Sequence, residues 1–221
     1  MDIWLLALTL RVALVATLVN VPIALAVSWL VVKRRVRGRF IIEVIVSLPL
    51  ALPPVAVGFF LLVVLGTGSP VGIAVNRLFG ADIVFTWVAA ALASAVVSFP
   101  LLVRPMMVAI GEVDERLEMS ARSLGAGPWR VALTITLPLA YRGVVAGVLL
   151  GFVRALSEFG ATIVVAGNIP ERTQTLSLAI YSNVQLRHDG EAMRLVAAAI
   201  VLAVVTLAVH NWLLARAARP G

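Results

Sequence analysis

The chain has 221 residues, 62% of them hydrophobic and 13% charged, with 18 Lys+Arg against 11 Asp+Glu for a formal net charge of +7. A soluble domain carries about 25% charged residues, so this composition excludes an ordinary soluble enzyme, and equally a disordered or fibrous chain, and implies an integral membrane protein. With no cysteine and only His188 and His210 as histidines, disulfides, thiolate metal sites and a histidine metal cluster are excluded too.

Five apolar runs reach the roughly 20 residues needed to cross a bilayer. The first, Ile3–Val32, is interrupted by Arg11, Asn20 and Pro22. No basic segment precedes it and it exceeds the about 7–15 apolar residues of a signal peptide, so it reads as a span. The second, Phe40–Leu65, contains Pro49, Pro53 and Pro54, which break it and either line a pathway or merely kink the helix. The third is Ile83–Ile110, the fourth Leu139–Gly167 and the fifth Leu195–Ala215. Within the fourth, Gly143, Gly147 and Gly151 recur at i+4 and would let another helix approach closely. Ser157, Glu158, Gly160 and Gly167 leave open whether that run is one tilted helix or a helix followed by a short re-entrant piece. Arg154 and Glu158, four apart, share a helix face and are expected to form an ion pair near the outer end; a gate beside Ser157 is the functional alternative. Trp4, Trp87 and Trp212 lie near span ends, as interfacial anchors should, and Arg11 is expected to snorkel to the outer interface.

The cations set the orientation. The link after the first run, Lys33-Arg34-Arg35-Val36-Arg37-Gly38-Arg39, carries five, and Arg104, Arg116, Arg122, Arg130 and Arg142 surround the link after the third. Arg216 and Arg219 follow the fifth run, whereas the opposite side holds Arg77, Arg172, Arg187 and Arg194. Cytoplasmic loops collect Lys and Arg, so the N-terminus is expected outside and the C-terminus in the cytoplasm. The basic excess is thereby read as topology and not as a nucleic-acid surface; the single lysine, Lys33, is read as compositional habit. No linker or internal repeat is visible, which predicts one all-α membrane domain over residues 1–221.

The link from Gly111 to Pro138 is the most informative stretch. Asp114 is a good N-cap, with Glu115 and Glu118 in the first turn where the helix dipole favours them. Leu117, Ala121 and Leu124 form an apolar stripe, while Glu115, Arg116, Glu118 and Arg122 occupy other faces. Gly125 stands where a C′ glycine ends a helix, and Gly127-Pro128 restarts one. The second piece, Pro128 to Thr136, is expected to end at Leu137-Pro138, because proline disfavours helix at the residue before it. Trp129 sits on this piece, where a partner groove would bury it. The whole forms a wedge suited to a lever against a partner; a solvated inter-span helix is the plainer reading.

Glu118-Met-Ser-Ala-Arg-Ser-Leu-Gly125-Ala-Gly-Pro-Trp-Arg, followed by Ile135-Thr-Leu-Pro138, resembles the "EAA" loop of permease subunits of ABC importers. The Glu-Ala-Ala itself is degraded, with Met119-Ser120-Ala121 before Arg122. Against the pattern of the molybdate branch, Glu-x-Ala-Ala-Arg-x-Leu-Gly-Ala-Gly, only the first alanine differs, at Ser120. Leu48-Pro-Leu-Ala-Leu-Pro-Pro-Val-Ala-Val-Gly58, Ser98-Phe-Pro-Leu-Leu-Val-Arg104, Ser157-Glu-Phe-Gly-Ala-Thr-Ile163, Gly167-Asn-Ile-Pro170 and Thr173-Gln-Thr175 are similar to that branch as well, so the resemblance spans roughly residues 5 to 215.

The resemblance implies a type-1 ABC importer permease fold with a cytoplasmic coupling helix, placed as a multi-pass protein in a prokaryotic cytoplasmic membrane. The chain lacks a Gly-x-x-x-x-Gly-Lys-Ser/Thr phosphate loop. Hence no cofactor is expected in this chain, no catalysis by it alone, and ATP with Mg²⁺ on two separate cytoplasmic ATPase subunits. A second copy of the chain would complete the membrane part, since no repeat supplies the other half. An extracytoplasmic oxyanion-binding protein would dock on the outer links Gly66–Asp82 and Asn168–Glu191. Leu117, Ala121 and Leu124 would pack against the ATPase, Glu118 and Arg122 would make rim contacts, and Gly125 and Pro128 would shape the elbow. The translocation pathway would involve Pro53, Pro54, Ser157 and Glu158. Molybdate is the implied substrate, with tungstate or sulfate as alternatives. An ATP-independent secondary transporter would show inverted repeats and mid-membrane charges, and a membrane enzyme a catalytic constellation; neither is visible.

Overall fold

A computed structural model describes residues 3–33 and 38–218, apart from the side chains of His210 and of residues 213–218. Arg34, Arg35, Arg37 and Arg219 of the topology count therefore lie outside the described residues, as do the side chains of His210 and Arg216. The described elements are helices, as a chain in lipid requires when each backbone N–H and C=O must be paired within its own segment.

Helix α1 (Ile3–Lys33) leads, through the basic link, into α2 (Arg39–Ala51) and α3 (Pro54–Leu65), and α4 (Pro70–Phe79) follows at the far end. Helix α5 (Trp87–Gly111) returns to α6 (Glu115–Ser123) and α7 (Pro128–Val131), then a π-helical turn, Ala132–Thr136, opens α8 (Leu137–Leu156). Helices α9 (Gly160–Val165), α10 (Leu176–Gln185) and α11 (Asp189–Ala218) complete the chain. Among the described residues, four helices are long and apolar enough to cross a membrane: α1, α5, the continuous helix Pro128–Leu156 and α11 as far as Val209.

The second apolar run is not one straight helix, for α2 and α3 meet at 110°. Pro53 and Pro54 remove two consecutive N–H donors, and each disfavours helix at the residue before it. Leu52 and Pro53 accordingly adopt extended ψ angles of 144° and 133°, and Pro54 opens α3 at its first turn. The fourth run is broken as well: α8 stops at Leu156 and α9 begins at Gly160.

The centre of the bundle is α5 clasped between α1 and α8. Along α8, a Cβ on Gly143 would lie 2.2 Å from the Ala109 Cβ, one on Gly147 2.6 Å from the Leu102 carbonyl oxygen, and one on Gly151 1.9 Å from Leu102 Cδ1. The i+4 glycine row thus sets the approach of α8 to α5. On the other side, buried Asn20 of α1 donates from Nδ2 to the Ala95 carbonyl (2.8 Å) and to Ser98 Oγ (3.3 Å), and Ser28 Oγ donates to the Val103 carbonyl (3.3 Å). Such interhelical bonds fix register where apolar contact alone would slide. Helix α11 packs on α10 and α8 and leaves Ile200, Val201, Val204 and Val205 exposed, as a lipid-facing helix does.

Candidate functional site

The wedge folds much as its local signals dictate. Asp114 Oδ1 accepts the Arg116 N–H at 2.8 Å and starts α6. At its other end Gly125 has φ +86°, its N–H reaches the Arg122 carbonyl (2.9 Å) and the Ala126 N–H reaches that of Ala121 (3.0 Å). That pair of bonds is a Schellman closure, whose C′ position requires the left-handed backbone glycine adopts freely. Gly127 then caps α7, with Pro128 in its first turn. The exposed Trp129 ring stacks on Trp29 of α1, centroids 6.2 Å apart and planes 11° apart.

Two expectations are corrected. Pro138 does not end the second piece; the helix runs from Pro128 to Leu156. Proline cannot donate to the carbonyl four residues back, and its ring crowds that carbonyl. The chain answers by widening one turn, so that the Leu137 N–H bonds to the Ala132 carbonyl in i→i−5 register and helix continues through the proline. Nor is Glu118 a rim residue: it is buried, with Lys33 Nζ 3.0 Å from Oε1, Thr136 Oγ1 donating to the same oxygen at 2.7 Å, and Arg122 at 3.4 Å from Oε2. A carboxylate turned inward is accommodated there because these partners replace the hydrogen bonds of water. Arg122 itself remains exposed, Ala121 is partly buried, and Leu117 and Leu124 are 49% and 90% exposed. With Met119, Trp129 and Leu133, these leucines leave the wedge with an uncovered apolar surface. Leu117 also borders an open groove of about 820 Å³ whose cationic lining is Arg104 and Arg142.

At the other candidate region, Pro54, Ser157 and Glu158 come into one neighbourhood. A Cβ on Gly160 would sit 3.0 Å from Pro54 Cβ, and one on Gly58 2.5 Å from the Ala161 carbonyl oxygen, so α3 and α9 touch nearly backbone to backbone. Pro53 and Ser157 are exposed beside this crossing. Glu158 Oε1 accepts the Ala161 N–H at 2.8 Å and so caps α9, while Oε2 pairs with Arg154 at 2.8 Å. Its side chain is 1% exposed and that of Arg154 26%, which favours the packing role over the gate. Replacing Glu158 with alanine should therefore cost about 3 kcal/mol of stability by stranding Arg154 and uncapping α9, read as a lower unfolding temperature in detergent. An unchanged unfolding temperature would refute the structural role.

The far end is ordered by its own polar groups. Gln174 Nε2 donates to Asn168 Oδ1 (3.0 Å), Asn168 Nδ2 donates to Ser182, and the Ile169 N–H reaches Thr173 Oγ1 (3.0 Å). Arg11 does not simply reach for water: its guanidinium lies 3.8 Å from the centroid of the Trp87 ring, a cation–π contact. Sequence reasoning missed Lys33, Thr136 and Trp29. The only available hint was that Lys33 is the chain's single lysine, a compact ammonium among arginines.

The family model described as "Binding-protein-dependent transport system inner membrane component" matches residues 10–219. The chain is 42% identical over 214 residues to the molybdenum transport system permease protein ModB of Haemophilus influenzae, covering 96% of this chain and 93% of that protein. It is 43% identical over 207 residues to the ModB of Escherichia coli K12, covering 93% and 90%. A probable sulfate transport system permease protein, cysT, of Chlorella vulgaris is 33% identical over 204 residues, covering 92% and 76%. Among solved structures, a bacterial alginate ABC transporter in complex with an alginate pentasaccharide-bound periplasmic protein superposes with a TM-score of 0.74 at 19% identity, covering 99% of this chain and 80% of that one. The fold is that of an ABC importer permease.

Proposed function

The chain belongs to the binding-protein-dependent transport system inner membrane component family, and from that membership we propose that it is the membrane permease subunit of an ATP-driven importer carrying molybdate into the cytoplasm. The observation that supports the substrate is the identity of 42% to 43%, along nearly the whole length, with molybdenum permeases. The protein is a multi-pass membrane subunit. Two copies form the conduit, the N-terminus faces outward and the wedge lies in the cytoplasm, and residues 1–221 make one domain with residues 111–138 as its coupling loop. Two ATPase subunits, holding ATP and Mg²⁺, receive the wedges, and an extracytoplasmic oxyanion-binding protein docks at the far end.

The chain's own part in the cycle is mechanical. Exposed Leu117 and Leu124 enter a groove on the ATPase, with Ala121 at the seam and Arg122 at its edge. Gly125 and Pro128 hold the elbow that aims them. Closure of the ATPases moves the two wedges together and shifts the membrane helices between inward-open and outward-open arrangements. Pro53, Pro54 and Ser157, at the α3–α9 crossing, border the path, and Glu158 keeps that crossing in shape.

The test is uptake of labelled molybdate at trace concentration, in cells with and without the chain and with and without a large excess of sulfate. Uptake should vanish without the chain and resist sulfate. Competition by sulfate would move the assignment to a sulfate importer. Uptake indifferent to the chain would remove molybdate as its substrate.

A further inference from the structure

Surface helices are ordinarily held down by an apolar stripe, yet on α6 the one buried residue among those described is Glu118. Leu117, Met119 and Leu124 face away. One carboxylate gathers the attachment. Lys33, the last residue of α1, lies 3.0 Å from Glu118 Oε1 and donates to the Val113 carbonyl at the α5–α6 junction (3.1 Å). Thr136, in the π turn, donates to the same Oε1 at 2.7 Å. The Lys33 and Glu118 side chains are 5% and 4% exposed.

Buried ion pairs add little stability over apolar residues of equal volume; their distinctive contribution is direction. Apolar surfaces can slide with small loss. A buried carboxylate on α6 whose partners from other elements are Lys33 of α1, itself held by the junction carbonyl of Val113, and Thr136 of the π turn cannot follow one of them and leave the other without exposing an unpaired charge.

Resting on the functional reading above, we propose that Glu118 and Lys33 are positioning residues that tie the wedge to α1. A displacement of α6 is thereby carried into α1, and from Asn20 and Ser28 into α5, instead of passing only along the helix that continues from α7 into α8. Motion delivered to both flanks of α5 moves the bundle as a body.

The complex, reconstituted with its ATPase subunits and binding protein, is assayed for molybdate moved per ATP hydrolysed. Glu118→Gln and Lys33→Gln should leave hydrolysis in place and lower that ratio about tenfold, within the usual range of coupling between sites. Lys33→Arg should retain most of it, and the double Gln variant should be no worse than Glu118→Gln, because both remove one interaction. A residue that matters only for stability would lower the amount of assembled complex and leave the ratio alone; an unchanged ratio overturns the proposal. A second readout needs no variant of the pair: spin labels at exposed Leu30 of α1 and Ser123 of α6 should keep a constant separation through the ATP cycle. Labels that separate on ATP addition overturn the link. A complex that hydrolyses ATP and moves no molybdate, with the labels still moving together, would sink the functional reading and leave the link standing.

Discussion

A Gly125→Val chain should insert and fold, yet take up molybdate at about a tenth of the normal rate or less. A Cβ at this position meets nothing within 4 Å, so crowding plays no part and the cost lies wholly in φ, which is +86°. Left-handed backbone costs an ordinary residue about 1–2 kcal/mol and a β-branched one more. The chain as a whole can absorb that, but α6 cannot. It is nine residues long, too short to persist without its caps, and it loses the two bonds from Gly125 and Ala126 that close its end. A penalty above about 1.4 kcal/mol on the competent shape lowers its population tenfold. Asn tolerates this backbone best among non-glycine residues, so uptake per inserted molecule should rank Gly, then Asn, then Ala, then Val. Labelled uptake normalised to membrane protein checks the order, and normal uptake by the valine variant would remove the elbow from the mechanism.

The second large effect is expected at the α5–α8 crossing. Gly147→Ala would place its Cβ 2.6 Å from a carbonyl oxygen of Leu102, and backbone in the middle of a helix cannot step aside. The loss should approach the upper end for overpacking, about 3 kcal/mol. Gly151→Ala meets the Leu102 side chain instead, at 1.9 Å from Cδ1. Shortening that side chain relieves the clash, so the Leu102→Ala and Gly151→Ala pair should be more stable than the sum of its single changes. The Leu102→Ala and Gly147→Ala pair should gain no such relief. Unfolding temperatures in detergent decide between them, and equal coupling in the two pairs would mean that the glycine row does not set the approach.

What the sequence revealed was what neighbours in the chain decide. Asp114, Gly125 and Pro128 each act within a turn of themselves, so the outline of the wedge is legible in the sequence. The EAA-like segment and the proline-rich second run likewise pointed to the fold. Pro53 and Pro54 announced a break, although the angle of 110° depends on what α2 and α3 pack against. The break at Ser157 to Phe159 was foreseeable as a possibility, and the capping of α9 by Glu158 settles it. Glu118 was misplaced because a helical wheel puts every charge on the wet face. Its partner Lys33 belongs to another helix, in a link that charge counting had already claimed for topology. Pro138 was misread for the opposite reason: the local rule is sound, but a long helix has a cheaper response than stopping.

That response has a consequence for how this chain tolerates length changes. The π turn at Ala132–Thr136 accommodates one residue more than an α-helical turn would. Removing a single residue there would restore a regular helical turn with the segments on either side still in phase, and would bring the Pro138 ring back against the carbonyl four residues before it. A residue inserted or lost in the regular helix beyond the turn has no such outlet: at 3.6 residues per turn, it would swing everything before it around the helix axis by about 100°. Thr136 would then no longer point at Glu118, and Trp129 would leave Trp29. The wedge and the glycine row of α8 are thus phased by the count of residues outside the turn, and a single residue lost within 132–136 should turn the wedge far less than one inserted or lost within 139–142.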